Sequence, residues 1–251
     1  MSGARVIVVP CFNESRRLDV DALVRLARGA DATVLAVDDG STDDTGVMLA
    51  AAATEHSEID VLVLAGNGGK AEAVRAGLRT ALVSGAAVVG YYDADLATPV
   101  GEMVRLVETL AGDDRLEVVV GSRVGLLGHD IERRPWRHYL GRVFATAASA
   151  ALGVPIYDTQ CGAKVFRATP ALGVALVEPF TSRWAFDVEL LGRLLRAGTS
   201  PDALKEVPLR AWRDVAGSGL RPRPAVRAGL DVLVMGWSWR RQRGASNNPT
   251  V

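Results

Sequence analysis

The stretch Tyr91-Tyr92-Asp93-Ala94-Asp95-Leu96-Ala97-Thr98-Pro99 decides the fold and the chemistry expected of this chain. It follows an apolar run from Ala86 to Val89, which predicts a buried strand, and Pro99 opens a predicted helix. Residues two apart in a strand point to the same face, so Asp93 and Asp95 would direct their carboxylates toward one point. Such carboxylates repel each other unless a cation lies between them, and Mg²⁺ or Mn²⁺ suits oxygen ligands of this kind. The alternative is a solvated loop that carries two aspartates.

The composition describes a protein with a large core and no disulfide scaffold. The chain has 251 residues, of which 49% are hydrophobic. Lys and Arg number 29, as do Asp and Glu, so no overall charge favours nucleic acid as a partner. Two cysteines and three scattered histidines give no zinc-ligand spacing. Without a signal-peptide pattern or a run of about 20 apolar residues, we expect a cytoplasmic protein that touches a membrane only peripherally.

Four strand–loop–helix units make up the first part of the chain. Apolar runs predict strands over 5–10, 33–37, 59–64 and 86–89, each followed by a polar loop and a helical pattern. This alternation implies right-handed crossovers and a parallel sheet. We expect Gly29 to end the first helix and Ser41 or Thr42 to cap the second. Ligands of open α/β sheets bind at the carboxyl ends of the strands, where this chain carries acids, glycines and a lysine.

The second half of the chain is less regular. The patterns predict helices over 100–110 and 144–152, and strands over 116–120, 163–166 and 204–209. They also predict a helix from Pro170, a helix that the segment 183–189 leads into and that ends near Gly198, and a helix from about 225 to 240. Cations and aromatic residues crowd 133–142, which is either a solvated helix face or a docking surface for an anionic acceptor or a membrane.

We predict one domain over residues 1–243 and a disordered tail over 244–251. Within the domain, 1–98 would form one half, 99–215 a second half, and 216–243 a loop and a C-terminal helix. Trp237 and Trp239 of this helix are expected to pack on the core. A homodimer contact or a membrane contact is the alternative.

Seven motifs give the chain a family resemblance over about residues 5–215. They are Val9-Pro10-Cys11-Phe12-Asn13-Glu14, Val37-Asp38-Asp39-Gly40-Ser41-Thr42, Asn67-Gly68-Gly69-Lys70, Asp93-Ala94-Asp95, Asp158-Thr159-Gln160-Cys161-Gly162, Trp184-Ala185-Phe186-Asp187-Val188-Glu189 and Glu206-Val207-Pro208. With them the chain resembles family 2 glycosyltransferases, and more narrowly the dolichyl-phosphate β-glucosyltransferase and polyprenyl-phosphate glycosyltransferase subgroup. The resemblance implies an α/β GT-A fold, Rossmann-like, with a mostly parallel central sheet and flanking helices. It also implies a metal-dependent, inverting transfer from a UDP-sugar, with glucose as the first expectation. Residues 1–98 would then be the nucleotide-binding half and 99–215 the acceptor and sugar half.

The first three loops offer groups suited to a nucleotide sugar. Glu14 and Asp39 are acceptors for a uracil N–H and ribose hydroxyls, and Asp38 is the alternative contacting acid. Gly68 permits close backbone approach and Lys70 brings a charge near phosphate or ribose, unless this loop is a plain turn with a solvated lysine. The full set of residues predicted to contact the UDP-sugar is Pro10, Phe12, Glu14, Asp38, Asp39, Gly68, Lys70, Asp93, Asp95, Asp158, Gln160 and Trp184.

Asp95 is the expected ligand of the Mg²⁺ or Mn²⁺ ion. Asp93 either joins it, directly or through water, or contacts the ribose or the sugar. The metal would bridge the diphosphate and stabilise charge on the departing nucleotide. In related mannosyl-phosphate enzymes a glutamine after the acidic pair helps to hold the metal, and here that place is Ala97. We therefore expect the metal shell to depend more on substrate and water.

The acceptor side carries Asp187 and Arg123 as predicted catalytic residues. Asp187 is the candidate general base for a hydroxyl acceptor, with Glu189 as second choice and helix capping as the alternative role. A phosphate acceptor is already ionised, and Asp187 would then hold a sugar hydroxyl. Arg123 is either a surface residue or a clamp on an acceptor phosphate or the donor diphosphate. The family motif implies sugar recognition by Asp158 and Gln160.

The expected acceptor is a polyprenyl phosphate, as in the subgroup, and the alternative is a soluble metabolite with a hydroxyl or phosphate-like group. A sugar-1-phosphate nucleotidyltransferase is a second class. Such enzymes carry a Gly-rich signature with Arg and Lys after the first strand, where this chain has Pro10-Cys-Phe-Asn-Glu14. A non-catalytic nucleotide-sugar-binding module is a third class, which the combination of Asp93, Asp95 and Asp187 disfavours.

Overall fold

The computed structural model describes residues 4–132, 135–214, 228–229, 231–232 and 234–239, with the backbone alone over 135–140. The strands are β1 (Arg5–Cys11), β2 (Thr33–Asp38), β3 (Ile59–Val63), β4 (Val88–Tyr92), β5 (Val118–Ser122), β6 (Asp130–Glu132), β7 (Ala163–Arg167), β8 (Leu204–Pro208) and β9 (Ala211–Arg213). The helices are α1 (Val20–Ala30), α2 (Thr45–Glu55), α3 (Lys70–Val83), α4 (Val100–Ala111), α5 (Pro135–Leu152), α6 (Pro170–Ala175) and α7 (Phe186–Arg196), with a 3-10 turn at Pro201–Ala203.

Seven strands form one sheet in the order β3-β2-β1-β4-β7-β5-β8. Its neighbouring strands run parallel except that β7 is antiparallel to both β4 and β5. The prediction of a mostly parallel sheet with flanking helices is therefore confirmed. Because β7 is reversed, its first residue, Ala163, pairs with Tyr92, the last residue of β4. The loop before β7 is thereby placed beside the acidic residues that follow β4.

Apolar strands are buried on both faces of this sheet. Ile7 and Val9 of β1 belong to a core cluster with residues of α1, α2 and α4. Val8 points to the other face and joins a cluster with residues of α3, α5, α6 and α7. A strand covered on both sides needs apolar residues without alternation, which is the pattern of β1.

Several element boundaries differ from the predictions for local reasons. Helix α1 continues past Gly29, and Asp31 ends it in a left-handed conformation with φ 49°. Helix α2 begins only at Thr45 and has no side-chain cap, because Ser41 and Thr42 instead hydrogen-bond to Asn13. The predicted strand over 116–120 lies two residues later, as β5.

The segment around the cationic residues differs most from the prediction. Its later part is the first half of α5, which begins at Pro135 rather than near 144. Strands β6 and β9 were not predicted, and they pair in parallel as a separate two-stranded ribbon. Arg133 and Arg134 lie outside the described residues, as do the predicted loop over 217–224 and the tail over 244–251.

The C-terminal residues that the structure describes at 228–229, 231–232 and 234–239 are helical, as predicted. Trp239 is buried, and a Cβ at Gly192 of α7 would clash with its ring, so this tryptophan packs on the core as expected. Trp237 is exposed. None of the helices within the described residues combines the length and apolarity that crossing a bilayer requires.

The contact between α3 and the sheet gives a stability test. A Cβ at Gly77 would lie 2.5 Å from Val8 Cγ1 and 2.9 Å from Val37 Cγ2, and both valines are stiff and fully buried. We expect Gly77→Ala to lower the free energy of unfolding by roughly 1–3 kcal/mol through overpacking. The control is Gly101→Ala in α4, where a Cβ meets nothing within 4 Å, and which should stabilise by up to about 1 kcal/mol. Urea unfolding of both variants measures the difference, and equal effects would contradict this packing.

Candidate active site

The acidic pair follows β4 and is already engaged by a lysine. Lys70 Nζ, at the start of α3, lies 2.6 Å from Asp93 Oδ1. Asp95 Oδ1 accepts a hydrogen bond from the Ala97 amide at 3.1 Å, in a tight turn where Leu96 has φ 55°. Burial and then the charge of Asp93 raise the pKa of Asp95. The two carboxylates thus differ, since Asp93 is paired with a cation, whereas the one hydrogen bond that Asp95 accepts from the described residues comes from an amide.

The residues at this place fit a divalent metal. Asp95 Oδ2 accepts no hydrogen bond from the described residues. A Cβ at Gly162 would overlap the Asp93 carboxylate, so the glycine leaves the space that this carboxylate occupies. No third Asp, Glu, His or Cys within the described part of the chain completes a metal cluster. Mg²⁺ and Mn²⁺ are commonly held in this way, by one or two carboxylates with phosphate oxygens and water.

The two aspartates at the end of β2 shape the nucleotide loops. Asp39 Oδ1 and Oδ2 accept hydrogen bonds from the amides of Gly68 and Gly69, each at 2.8 Å. Asp38 Oδ1 accepts one from the Ser41 amide at 2.9 Å and stays within its own loop. Asp39 therefore fixes the loop that presents Lys70, while Asp38 turns away from it.

The loop after β1 carries the other predicted nucleotide residues. Pro10 lies within β1, and Phe12 just beyond the strand is 41% exposed. Glu14 is buried and forms a bidentate ion pair with Arg17. The hydrogen bond to Glu14 raises the pKa of Arg17, and the charge of Asp95 adds to it. Arg17 is thus a cation near the acidic pair that the sequence motifs did not single out.

Arg123 and Asp158 form one unit rather than two independent contacts. The guanidinium donates to Asp158 Oδ2 at 2.6 Å and Oδ1 at 2.8 Å, and lies 5.3 Å from the ring centroid of Trp212. Burial lowers the pKa of Arg123, but the charge and hydrogen bonds of Asp158 outweigh this and raise it. Glu206 accepts hydrogen bonds from the amides of Tyr157 and Asp158, which gives the predicted Glu-Val-Pro motif a role in holding this loop.

The same loop carries two buried polar atoms without a hydrogen-bond partner among the described residues, Thr159 Oγ1 and Gln160 Nε2. Unpaired buried donors cost about 1–3 kcal/mol each. Gln160 is therefore a candidate for a ligand contact, as the family motif implies.

Asp187 lies in the first turn of α7, and Ala185 rather than Asp187 is the N-cap, so the capping alternative is wrong. Its Oδ1 accepts hydrogen bonds from the Tyr91 hydroxyl and from Lys164 Nζ, the latter at 2.6 Å. Oδ2 accepts none from the described residues.

Both carboxylate oxygens of Glu189, the second candidate base, accept hydrogen bonds within the protein. Its Oε2 accepts hydrogen bonds from Thr181 and Ser182, and its Oε1 pairs with Arg193 at 2.7 Å. These contacts fix the segment before α7, so Asp187 is left as the carboxylate with a free oxygen.

Arg183 is a further site residue that sequence reasoning missed. A Cβ at Gly69 would lie 3.8 Å from Arg183 Nε, so this exposed guanidinium covers the start of α3. Gly69 caps α3 without a side chain to receive the first amides of the helix. Trp184 beside it is 45% exposed. The position of Arg183 just before the Trp-Ala-Phe-Asp motif was the one feature of the sequence that could have identified it.

The polar loops described above lie together at the carboxyl edge of an α/β sheet, where such folds bind ligands. The chain belongs to glycosyl transferase family 2, whose family model matches residues 6–171.

Curated relatives span most of the chain. It is similar to a dolichyl-phosphate beta-glucosyltransferase of Trichomonas vaginalis, with 31% identity over 90% of this chain and 68% of the relative. A polyprenol monophosphomannose synthase of Mycolicibacterium smegmatis is 27% identical over 81% of this chain and 76% of that protein.

Solved structures share the fold. Glucosyl-3-phosphoglycerate synthase from Mycobacterium tuberculosis, in complex with Mn²⁺, UDP and glucosyl-3-phosphoglycerate, superposes with a TM-score of 0.66 at 22% identity, over 94% of this chain and 80% of that one. Mannosyl-3-phosphoglycerate synthase from Rubrobacter xylanophilus gives a TM-score of 0.69 at 17% identity, over 99% of this chain and 77% of that one.

The two acids should respond oppositely to neutralisation. The raised pKa of Asp95 means that its ionisation costs stability as the pH rises through that pKa, and Asp95→Asn removes this cost. We expect Asp95→Asn to raise the free energy of unfolding at pH 7 by roughly 0.5–2 kcal/mol, with the gain vanishing near pH 3. Asp93→Asn leaves Lys70 without its ion pair and should lower the free energy of unfolding by up to about 1 kcal/mol.

Thermal unfolding with and without Mn²⁺ and UDP completes this test. Ligand should raise the Tm of the wild-type chain and raise that of Asp95→Asn much less. Destabilisation by both variants in the absence of metal would contradict the asymmetry.

Proposed function

We propose that this chain is an inverting, metal-dependent glycosyltransferase that moves glucose from UDP-glucose to a polyprenyl phosphate. The observation that carries the proposal is that Asp93 and Asp95 lie at one edge of the sheet with the loop of Asp158 and Gln160, brought there by β7. The names of the curated relatives support the lipid-phosphate acceptor and, for the first of them, the glucose.

The donor would lie across the ends of β1, β2 and β4. Asp95, joined by Asp93, would hold Mg²⁺ or Mn²⁺, which neutralises charge on the leaving diphosphate when it is bound. The start of α3 has no side-chain cap and carries Lys70 beside Arg183, which together favour an anionic diphosphate. Asp39 contributes by fixing the Gly68–Gly69 backbone, and Gln160 offers a buried amide donor to the sugar.

The acceptor would approach the opposite face of the sugar. An ionised phosphate oxygen forms the new bond to the anomeric carbon while the bond to the β-phosphate oxygen of UDP breaks, so no general base is needed. Asp187 Oδ2 would then accept from a sugar hydroxyl, whereas a hydroxyl acceptor would require the same oxygen to take a proton. The Arg123–Asp158 ion pair, which is formally neutral, fixes the start of the loop over 124–129.

An exposed apolar loop tip favours a lipid acceptor over a soluble one. Leu126 is 47% exposed and Leu127 is fully exposed, three and four residues after Arg123. An exposed apolar tip of this kind suits contact with a lipid chain. Peripheral membrane contact and a homodimer remain predictions.

The acceptor assay separates these proposals. With UDP-glucose and Mn²⁺, we expect glucose transfer to undecaprenyl phosphate in detergent and none to undecaprenol, which lacks the phosphate. Phosphoglyceric acid serves as the soluble arm, and transfer to it alone would replace the lipid acceptor. If a panel of UDP- and GDP-sugars shows no turnover, even by slow hydrolysis, the enzymatic proposal is wrong.

Arg183 provides a test of where the diphosphate lies. We expect Arg183→Gln to weaken UDP binding by about 10-fold and uridine binding hardly at all, because uridine lacks the diphosphate. Arg25→Gln, which alters an exposed arginine of α1, is the control. Isothermal titration measures both ligands. Equal losses for UDP and uridine would indicate instead that Arg183 supports the nucleoside pocket.

A further inference from the structure

Lys164 is a fully buried cation that the transfer chemistry described so far does not use. It lies in β7, an interior strand next to the central strand β4, and is 0% exposed. Its Nζ donates to Asp187 Oδ1 and to the Cys161 carbonyl, each at 2.6 Å. A strand interior ordinarily favours an apolar side chain, because a buried ammonium must be compensated at every donor.

The sheet register explains how these groups meet. Lys164 pairs directly with Tyr91 across β4 and β7, so both side chains project from the same face. Their ends converge on Asp187 in the first turn of α7, with the ammonium 5.1 Å from the centroid of the Tyr91 ring. Burial and the charge of Asp187 raise the pKa of Tyr91, so the phenol stays a neutral donor.

Asp187 lies close to the groups that would surround the donor. Lys70 Nζ is ion-paired with Asp93 Oδ1 at 2.6 Å. Lys70 Nζ also lies 5.9 Å from the centroid of the Phe186 ring, the neighbour of Asp187. The first turn of α7 therefore borders the same space as Asp93.

The geometry points to Lys164 as a positioning residue for glycosyl transfer. With Tyr91 it occupies Asp187 Oδ1 and leaves Oδ2 as the oxygen that faces the sugar. Through the Cys161 carbonyl it fixes the loop of Asp158 and Gln160 to the same ammonium. Cys161 takes part by its backbone, since burial raises the pKa of its thiol to about 11. This role rests on the proposed function, because it acts on the sugar through Asp187.

The test is Lys164→Met, which keeps the length of the side chain and removes the charge. The measured quantity is kcat per UDP-binding site, with the sites counted by titration with UDP and Mn²⁺, so that unfolded protein does not contribute. We expect kcat to fall about 10²-fold while the KM for UDP-glucose and the Kd for UDP change less than about 2-fold. Lys205→Met, at an exposed lysine of β8, is the matched control and should leave all three values unchanged.

A double-mutant cycle separates positioning from folding. If Lys164 acts through Asp187, adding Lys164→Met to Asp187→Asn should lower kcat per site less than about 3-fold further. The double variant also removes both buried charges, so it remains informative if Lys164→Met alone fails to fold.

Three outcomes would overturn the inference. Lys164→Met with unchanged kcat per site would show a purely structural lysine. Multiplicative losses in the double variant would show that Lys164 does not act through Asp187. Failure of both Lys164 variants to bind UDP would show a folding role. A wild-type chain that binds UDP but transfers no sugar would instead overturn the proposed function itself.

Discussion

The reversed strand β7 is the constraint on which the site depends. Its hydrogen bonds pair Tyr92 with Ala163 and Tyr91 with Lys164, so a chain segment that enters from the opposite direction reaches the end of β4. The space left by the missing side chain of Gly162 lets the Asp93 carboxylate sit against this segment. A slip of one residue would turn Lys164 to the other face of the sheet, and the link between the sugar loop and α7 would be lost.

Charge pairing is the second constraint. Four acids of the site have a cation within ion-pair distance, in the pairs Glu14–Arg17, Lys70–Asp93, Arg123–Asp158 and Lys164–Asp187. Without these cations, carboxylates gathered in a poorly solvated cleft would repel one another. Asp95 is different because, among the described residues, an amide is its one hydrogen-bond partner and its pKa is raised. Asp95 is therefore an under-compensated negative charge, placed where a metal and a diphosphate would supply the balance.

Much of the fold could be predicted because it follows from local patterns. Continuous Val and Ile runs predicted strands buried on both faces, and their order predicted a parallel sheet. The predicted cap of α2 was wrong because Ser41 and Thr42, which were expected to supply it, form hydrogen bonds with the distant residue Asn13. The sequence named candidate site residues but did not give their partners within the fold. Arg123 was expected to be either a surface residue or a clamp on a phosphate, and the structure pairs it with Asp158.

By itself the sequence determined the α/β alternation and the placing of polar residues at strand ends, because hydrophobic period and strand length are local properties. The position of Asp93 and Asp95 after β4 belongs to that part. Only the tertiary structure decided the direction of β7 and the partners of Asp187. Lys164 lies 23 residues from Asp187 and Tyr91 lies 96 from it. Their contact depends on sheet register and on helix docking, and these arise from long-range packing that no local pattern encodes.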